Sequence, residues 1–312
     1  MTMRALVADP LGPAAERVLL DAGFEVRKEI GLSGDALVAA LGGRQALLVR
    51  GQTKVTADVL GRAKGLQVVA RAGAGVDNVD TQAAKAAGVA VYNAPGANAV
   101  SVAELTWGLI FALLRHIPEA DATTRTGGWE KTRLAGAEIN GRTLGVVGLG
   151  YVGREVARVG VALGCHVLGF DPDPAAAPIL AGVERVSLER VFTDSDIVSL
   201  HAPLSPETRH LAGRERLAAM KPGAYLVNAA RGGLIDEAAL VEALSAGRLA
   251  GAALDVFESE PPAGSPLLGL RNVVLTPHLG AATAEAQERA ALMAAEAVRL
   301  HLAGGHPPGR VV

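Results

Sequence analysis

The chain has 312 residues, half of them hydrophobic, with a formal net charge of −2 and a single cysteine. That length suggests about two domains with ample apolar material for their cores. The near-neutral charge offers no basic field to nucleic acid or an anionic membrane, and the lone Cys165 excludes an internal disulfide framework and fits a reducing, cytoplasmic compartment.

Residues 1–10 lack the charged-then-apolar order of a secretory signal, and no later apolar run reaches the ~20 residues of a membrane helix. Short apolar runs alternate with helical segments: strands at 5–8, 24–27, 46–49, 66–70 and 89–92, helices at 13–21, 34–41, 57–64 and 81–87. Such alternation predicts a parallel α/β sheet covered on both faces and built with right-handed crossovers. Pro95 and Gly96 break the pattern. Ser101 lies three residues before Glu104, the spacing of a capping box, and predicts a long helix from there to about His116. The polar stretch 121–136, beyond Pro118, reads as an irregular arm. A second array follows, with strands at 143–147, 167–170, 197–200, 225–228, 251–254 and 273–275 and helices in most of the gaps. A last helix covers roughly 283–302, and the tail 306–312 has no helical pattern.

Gly148-Leu149-Gly150-Tyr151-Val152-Gly153 fits G-x-G-x-x-G. In a chain with 38 glycines the string alone is weak, but its context is specific. An apolar strand precedes it, and a helix follows with Val152, Val156, Val159 and Leu163 on one face. The next strand ends at Asp171, 18 residues after Gly153. Gly148 permits the tight turn, Gly150 lets the backbone approach a pyrophosphate, and Gly153 lets the helix pack close to the sheet. Helix N–H groups and the macrodipole stabilise the phosphates. Asp171 suits the adenosine ribose hydroxyls and repels a 2′-phosphate, and Pro172 and Asp173 bring no cation to offset it. The expected cofactor is NAD rather than NADP.

Open parallel sheets bind ligands beyond the carboxyl ends of their strands. At those ends lie Arg231, in Ala229-Ala230-Arg231-Gly232-Gly233, then Asp255 with Glu260 shortly after it, and His278. Hydride removal from a carbon bearing a hydroxyl requires removal of the hydroxyl proton, a task for histidine near neutral pH. A carboxylate beside it favours the imidazolium and fixes the tautomer. Arginine clamps a carboxylate through two parallel hydrogen bonds. The expected roles are His278 as general acid/base, Glu260 as its partner and Arg231 as the clamp. Singly, each has an ordinary alternative: a surface ion pair, a solvated turn, a cap. Together, beside a dinucleotide turn, they point to catalysis. His201 follows a strand and is placed at the cofactor, whereas His116, His166, His210, His301 and His306 read as structural or exposed. No residue spacing suggests a metal, and Asp194 and Asp196 read as turn or cap residues.

The segments VRGQTKVTAD (49–58), RAGAGVDNVD (71–80), NAARGGLIDE (228–237), GAALDVFESEPP (251–262) and TPHLGA (276–281) carry a family likeness. Through them the chain resembles the D-isomer-specific 2-hydroxyacid dehydrogenases, most closely those acting on phosphoglycerate, over essentially its whole length. The resemblance implies a Rossmann NAD-binding domain, 98–281, inserted in a flavodoxin-like substrate-binding domain, 1–97 plus 282–312. It implies Arg231, Glu260 and His278 as catalytic residues. Besides the three glycines and His201, it implies cofactor contacts at Tyr151, Val152, Asp171, Ala202, Pro203, Ala229, Ala230, Arg231, Asp255, His278, Gly280 and Ala281. Substrate contacts are implied at Arg50, Arg71, Gly73, Ala74, Gly75 and Asn98, with Arg231 and His278. Arg50 and Arg71 suit a phosphorylated acid, with domain-surface charge as the alternative. Ala74 replaces a hydroxyl residue frequent in the family.

The resemblance further implies a homodimer formed through the cofactor domain, or a tetramer, with the arm near Trp129 as a contact and Lys131 reaching a neighbouring site. The appended regulatory domains of longer relatives, and serine feedback through them, are expected to be absent. The implied reaction is oxidation of D-3-phosphoglycerate with NAD, toward serine. A glyoxylate or hydroxypyruvate reductase stays open, as does a different class, an NAD-sensing, protein-binding module like the related corepressors.

Overall fold

Side-chain alternation along the strands decides the architecture. In β1 (Arg4–Val7), Ala5 and Val7 join one apolar cluster, while Leu6, with Ala8 just beyond, joins another. A strand with period-two side chains does this when helices cover both faces of its sheet. The computed structural model describes residues 2–173 and 180–312 and divides into two compact units, Met1–Asn98 with Ala281–Val312, and Ala99–Gly280.

In the first unit β1 is followed by α1 (Pro13–Asp21), β2 (Glu25–Lys28), α2 (Gly34–Leu41), β3 (Ala46–Val49), α3 (Ala57–Arg62), β4 (Val68–Arg71), α4 (Thr81–Ala86) and β5 (Ala90–Tyr92). The strands are all parallel in the order β2-β1-β3-β4-β5, the flavodoxin-like order. One face is covered by α1 and by the last helix of the chain, Ala284–Leu302, whose buried surface is almost all alanine. Small side chains let the two helices approach closely, and Thr283 caps the last one by accepting the Ala286 N–H at 3.2 Å. The other face carries Leu37, Val59 and Ala84 of the three remaining helices. Each fully buried leucine, such as Leu6 or Leu47, stabilises by about 2 kcal/mol. The tail returns antiparallel to β5, with the Val311 N–H on the Val91 carbonyl at 2.8 Å, and so covers that sheet edge.

The second unit opens with α5 (Ala99–Leu114) and α6 (Ile117–Arg125). It continues through β6 (Thr143–Val147), α7 (Tyr151–Ala162), β7 (His166–Phe170), β8 (Val183–Arg185), α8 (Leu188–Asp194), β9 (Ile197–Leu200), α9 (Arg214–Ala219), β10 (Ala224–Asn228), α10 (Glu237–Ser245), β11 (Leu249–Leu254) and β12 (Val273–Leu275). Its seven strands are parallel in the order β12-β11-β10-β9-β6-β7-β8. The order reverses between β9 and β6, which is where a doubly wound sheet opens a crevice for a dinucleotide.

Three local expectations are corrected. Ser101 is not a cap: α5 already begins at Ala99, and Ser101 is buried inside it. The start of the expected irregular arm is helical, because Pro118 falls in the first turn of α6, where its missing N–H costs nothing. His116, at φ 51°, separates the two helices, which meet at 62°. The short edge strand β8 gave no sequence signal, since two of its three residues are exposed. The lone Cys165 is buried with its thiol pushed up to about 11 by desolvation, so it stays an inert thiol in the native state.

Candidate active site

At the carboxyl end of β6 the chain turns through Gly148 at φ 89°, a conformation suited to glycine. A side chain there would collide with the His201 carbonyl at 2.7 Å, and one on Gly153 would lie 1.8 Å from the Gly148 carbonyl oxygen. Gly150 is different, since an added Cβ would meet nothing within 4 Å. Two glycines are thus required by the protein's own packing, and the third leaves open space in front of the helix. Gly150 is the N-cap of α7 and offers no side-chain acceptor, so the first N–H groups of that helix are available to an anion. Tyr151 is exposed with the Arg154 guanidinium 5.3 Å over its ring, which adds a cation at this helix end. Val152 packs on the apolar cluster behind the turn.

Asp171, at the end of β7, accepts the Leu149 N–H at 2.8 Å and the Asp173 N–H at 3.0 Å. It is therefore locked to the glycine turn. Pro172 and Asp173 bring no cation, as their residue types dictate, but β8 brings the Arg185 guanidinium to 3.4 Å from the Asp171 carbonyl. The cation arrives through strand pairing, 14 residues along the chain.

His201 shares a 2.8 Å hydrogen bond between Nε2 and Ser199 Oγ, and its Nδ1 is buried without a partner among the described residues. Desolvation pushes the ring's pKa down to about 4. Such a ring stays neutral in the fold and takes up its proton only in the unfolded chain. The share of stability that His201 contributes is therefore complete above pH ~6.5 and is lost, by about 3 kcal/mol, as the pH falls to 4. Urea unfolding at pH 7 and pH 4.5 should show this loss, and His201→Gln should show markedly less of it. Equal pH dependence in the two proteins would rule out His201 as its source. Ala202 and Pro203, next along, are partly buried and exposed respectively, and Leu204 after them packs on Gly233.

The candidate reactive groups lie beyond the ends of the next three strands. After β10, the fully buried Asn228 clasps its own loop, accepting the Ala230 N–H at 3.0 Å and donating to the Arg231 carbonyl at 2.9 Å. Arg231 bends back to the Ala230 carbonyl at 2.7 Å, and Ala229 is buried beneath. After β11, Glu260 accepts the Phe257 N–H through Oε1 at 3.2 Å and meets His278 Nδ1 through Oε2 at 2.8 Å. Both side chains are partly exposed, 51% for His278 and 39% for Glu260. An exposed pair adds little stability, so what it provides is orientation of the ring. His278 has φ 54°, uncommon for a residue with a side chain.

Asp255 explains how that backbone is held. It is completely buried rather than open to a ligand. Its carboxylate accepts Thr276 Oγ1 at 2.6 Å, the Leu279 N–H at 2.7 Å and the Gly280 N–H at 2.8 Å, while its carbonyl takes the His278 N–H at 2.8 Å. Expected at the cofactor, Asp255 is buried here as the anchor of the His278 loop. Ala281 is partly buried and begins the return to the first unit.

In the first unit the corresponding strand ends carry Arg50 and Arg71. Sequence reasoning missed the residue that shapes this loop, the fully buried Asp9 after β1. It accepts the Arg50 N–H at 2.5 Å and Thr53 Oγ1 at 2.6 Å. Arg71 donates Nε to the Arg50 carbonyl at 3.0 Å, and its guanidinium lies against Gly73, where a Cβ would come within 2.4 Å of Nη1. Asn93 holds the Ala74 carbonyl at 2.6 Å, and Gly75 and Asn98 are partly buried.

Residues 107–280 match the D-isomer specific 2-hydroxyacid dehydrogenase NAD binding domain. D-3-phosphoglycerate dehydrogenase of Methanocaldococcus jannaschii is 47% identical over 97% of the chain and 58% of its own length. The protein of the same name from Mycobacterium bovis is 49% identical over 98% of the chain and again 58% of its own length. The chain therefore spans a little over half the length of these curated relatives. The crystal structure of the TT0316 protein from Thermus thermophilus superposes with a TM-score of 0.88 at 42% identity, covering 99% of this chain and 100% of that one. The family match covers more than half of the chain, and the fold and sequence identity agree with it: the chain belongs to the D-isomer specific 2-hydroxyacid dehydrogenase family.

Proposed function

We propose that this chain oxidises D-3-phosphoglycerate with NAD. The observation that carries the reading is the 2.8 Å contact between His278 and Glu260, on the same sheet edge as the glycine turn. The open space at Gly150, the uncapped start of α7 and the unpartnered Nδ1 of His201 fit a dinucleotide. Gly148, Gly150, Tyr151, Val152 and Gly153 would hold its phosphates and Asp171 its ribose, which favours NAD over NADP. NAD, when bound, supplies the acceptor for the hydride.

His278 takes the hydroxyl proton at Nε2, because Nδ1 is held by Glu260. The Glu260 carboxylate favours the charged imidazolium that results. Arg231 grips the carboxylate of the acid and fixes the reacting carbon against the ring. Arg50 is assigned to the phosphate. Its guanidinium has no hydrogen-bond partner among the described residues, whereas Arg71 also supports the Arg50 backbone. Gly73, Ala74 and Gly75 would offer backbone groups to the substrate. A second copy is assigned to the arm, where Trp129 is 85% exposed.

Initial rates of NADH formation with D-3-phosphoglycerate and D-glycerate, at alkaline pH with a hydrazine trap, test the substrate. The phosphorylated acid should be strongly preferred, and Arg50→Ala should raise its KM roughly 10–100-fold, the worth of a charged hydrogen bond. Equal activity on D-glycerate, or an equal loss on both acids in R50A, would shift the reading to a reductase of unphosphorylated acids. Arg71→Ala is the less clean variant, because it also releases the loop.

A further inference from the structure

Glu260 is carried by an irregular segment, so groups outside it must hold its carboxylate to the tolerance that proton transfer demands, about half an ångström. Its own bond to the Phe257 N–H ties it to the segment but does not fix the segment in the domain. The buried Phe257 side chain anchors the start of the segment in the core, and three contacts hold its backbone and Glu258. The Gly232 backbone presses on the peptide between Phe257 and Glu258, where an added Cβ would lie 1.9 Å from the Phe257 carbonyl carbon. Glu237, at the start of α10, accepts the Glu258 N–H at 2.7 Å. His210, 48 residues away in sequence, brings Nε2 to 2.5 Å from Glu258 Oε1, with Arg209 at 4.0 Å from the same oxygen.

The His210 contact is the unexpected one. Its backbone has φ 51°, and its N–H is anchored on the Gly233 carbonyl at 2.8 Å, beside the Arg231 loop. An exposed contact of this kind adds little stability, and a histidine held left-handed gives some of that up. What the contact contributes is thus to be sought in the segment it holds.

Resting on the reading of His278 and Glu260 as the acid–base pair, we propose that His210 is a positioning residue. Through Glu258 it braces residues 257–260 and so sets Glu260 against His278. The charged groups around its ring are Glu258, Arg209 and, on the other side of the braced peptide, Glu237. His210 does not touch the reacting atoms.

The test uses His210→Gly, His210→Gln and Glu258→Ala in the full chain. Glycine suits φ 51° better than histidine, so Tm in H210G should hold or rise. Its kcat for the D-2-hydroxy acid that the parent oxidises best should nevertheless fall about tenfold, with KM for NAD within about twofold. E258A should match that loss. H210Q keeps a donor of similar reach and should restore kcat to within about threefold. Amide hydrogen exchange at Phe257 and Glu258 should rise in H210G. Unchanged kcat in both H210G and E258A overturns the brace. If the parent oxidises no 2-hydroxy acid, the dehydrogenase reading fails instead, and unchanged exchange in H210G then overturns the brace separately.

Discussion

Replacing His278 by alanine should lower kcat about a thousandfold while NADH binds within about twofold of the parent. General acid–base catalysis by a positioned side chain contributes 10²–10⁴-fold, and His278 is the imidazole oriented by a carboxylate at this sheet edge. The loop should survive the change. It is held by the buried Asp255 through Thr276, Leu279 and Gly280, and none of those bonds uses the histidine ring. Glu260→Gln keeps the shape and removes the charge that favours the imidazolium, so its loss should be smaller, on the order of tens-fold. Initial rates and a fluorescence titration with NADH separate the two quantities. A kcat within threefold of the parent in H278A would remove the ring from the chemistry. A parallel loss of NADH binding would recast it as part of the cofactor pocket.

The second large effect is expected at the glycine turn, where two alanine substitutions should both cost NADH binding but only one should cost stability. In Gly153→Ala the new methyl would meet the Gly148 carbonyl oxygen at 1.8 Å. The helix must then move off the turn, at a cost of about 3 kcal/mol, as overpacking of a tight contact demands. NADH binding should fail together with stability. Gly150 has φ −65° and open space, so alanine is free to adopt its backbone and Tm should hardly change. The methyl would nonetheless stand where a phosphate must approach, and the Kd for NADH should rise about a hundredfold. Thermal unfolding and NADH titration of both variants decide the point. Parent-like NADH affinity in G150A would mean that this turn packs the protein and does not cradle phosphate.

Much of the fold was legible because both faces of most strands are buried. Ala5, Leu6, Val7 and Ala8 form an uninterrupted apolar run, and the structure sends them alternately to two cores. The segments that escaped lack such a mark. Helix α6 buries none of its residues, so no apolar stripe announces it. The Ser101–Glu104 spacing met the capping pattern by coincidence, since backbone geometry upstream had already started the helix. At the site, the strand-end rule brought Arg231, Glu260 and His278 to notice because each lies within three to six residues of the end of an apolar strand. Asp9, Arg185 and His210 act through contacts 41, 14 and 48 residues distant in the chain, which no local pattern encodes. Asp9 carried one usable signal, a carboxylate directly after a strand with nothing nearby in sequence to neutralise it.

The contact of Gly232 with the peptide between Phe257 and Glu258 has a consequence for how this protein can change. With no room for even a methyl group between them, the loop carrying Arg231 and the segment carrying Glu260 cannot drift separately. Substitutions in the two should be strongly epistatic, each tolerated or damaging according to what the other holds. Libraries that alter acid specificity one loop at a time would then lose most of their members to misfit, and the productive route is to vary residues 229–233 and 256–260 as a single inherited block.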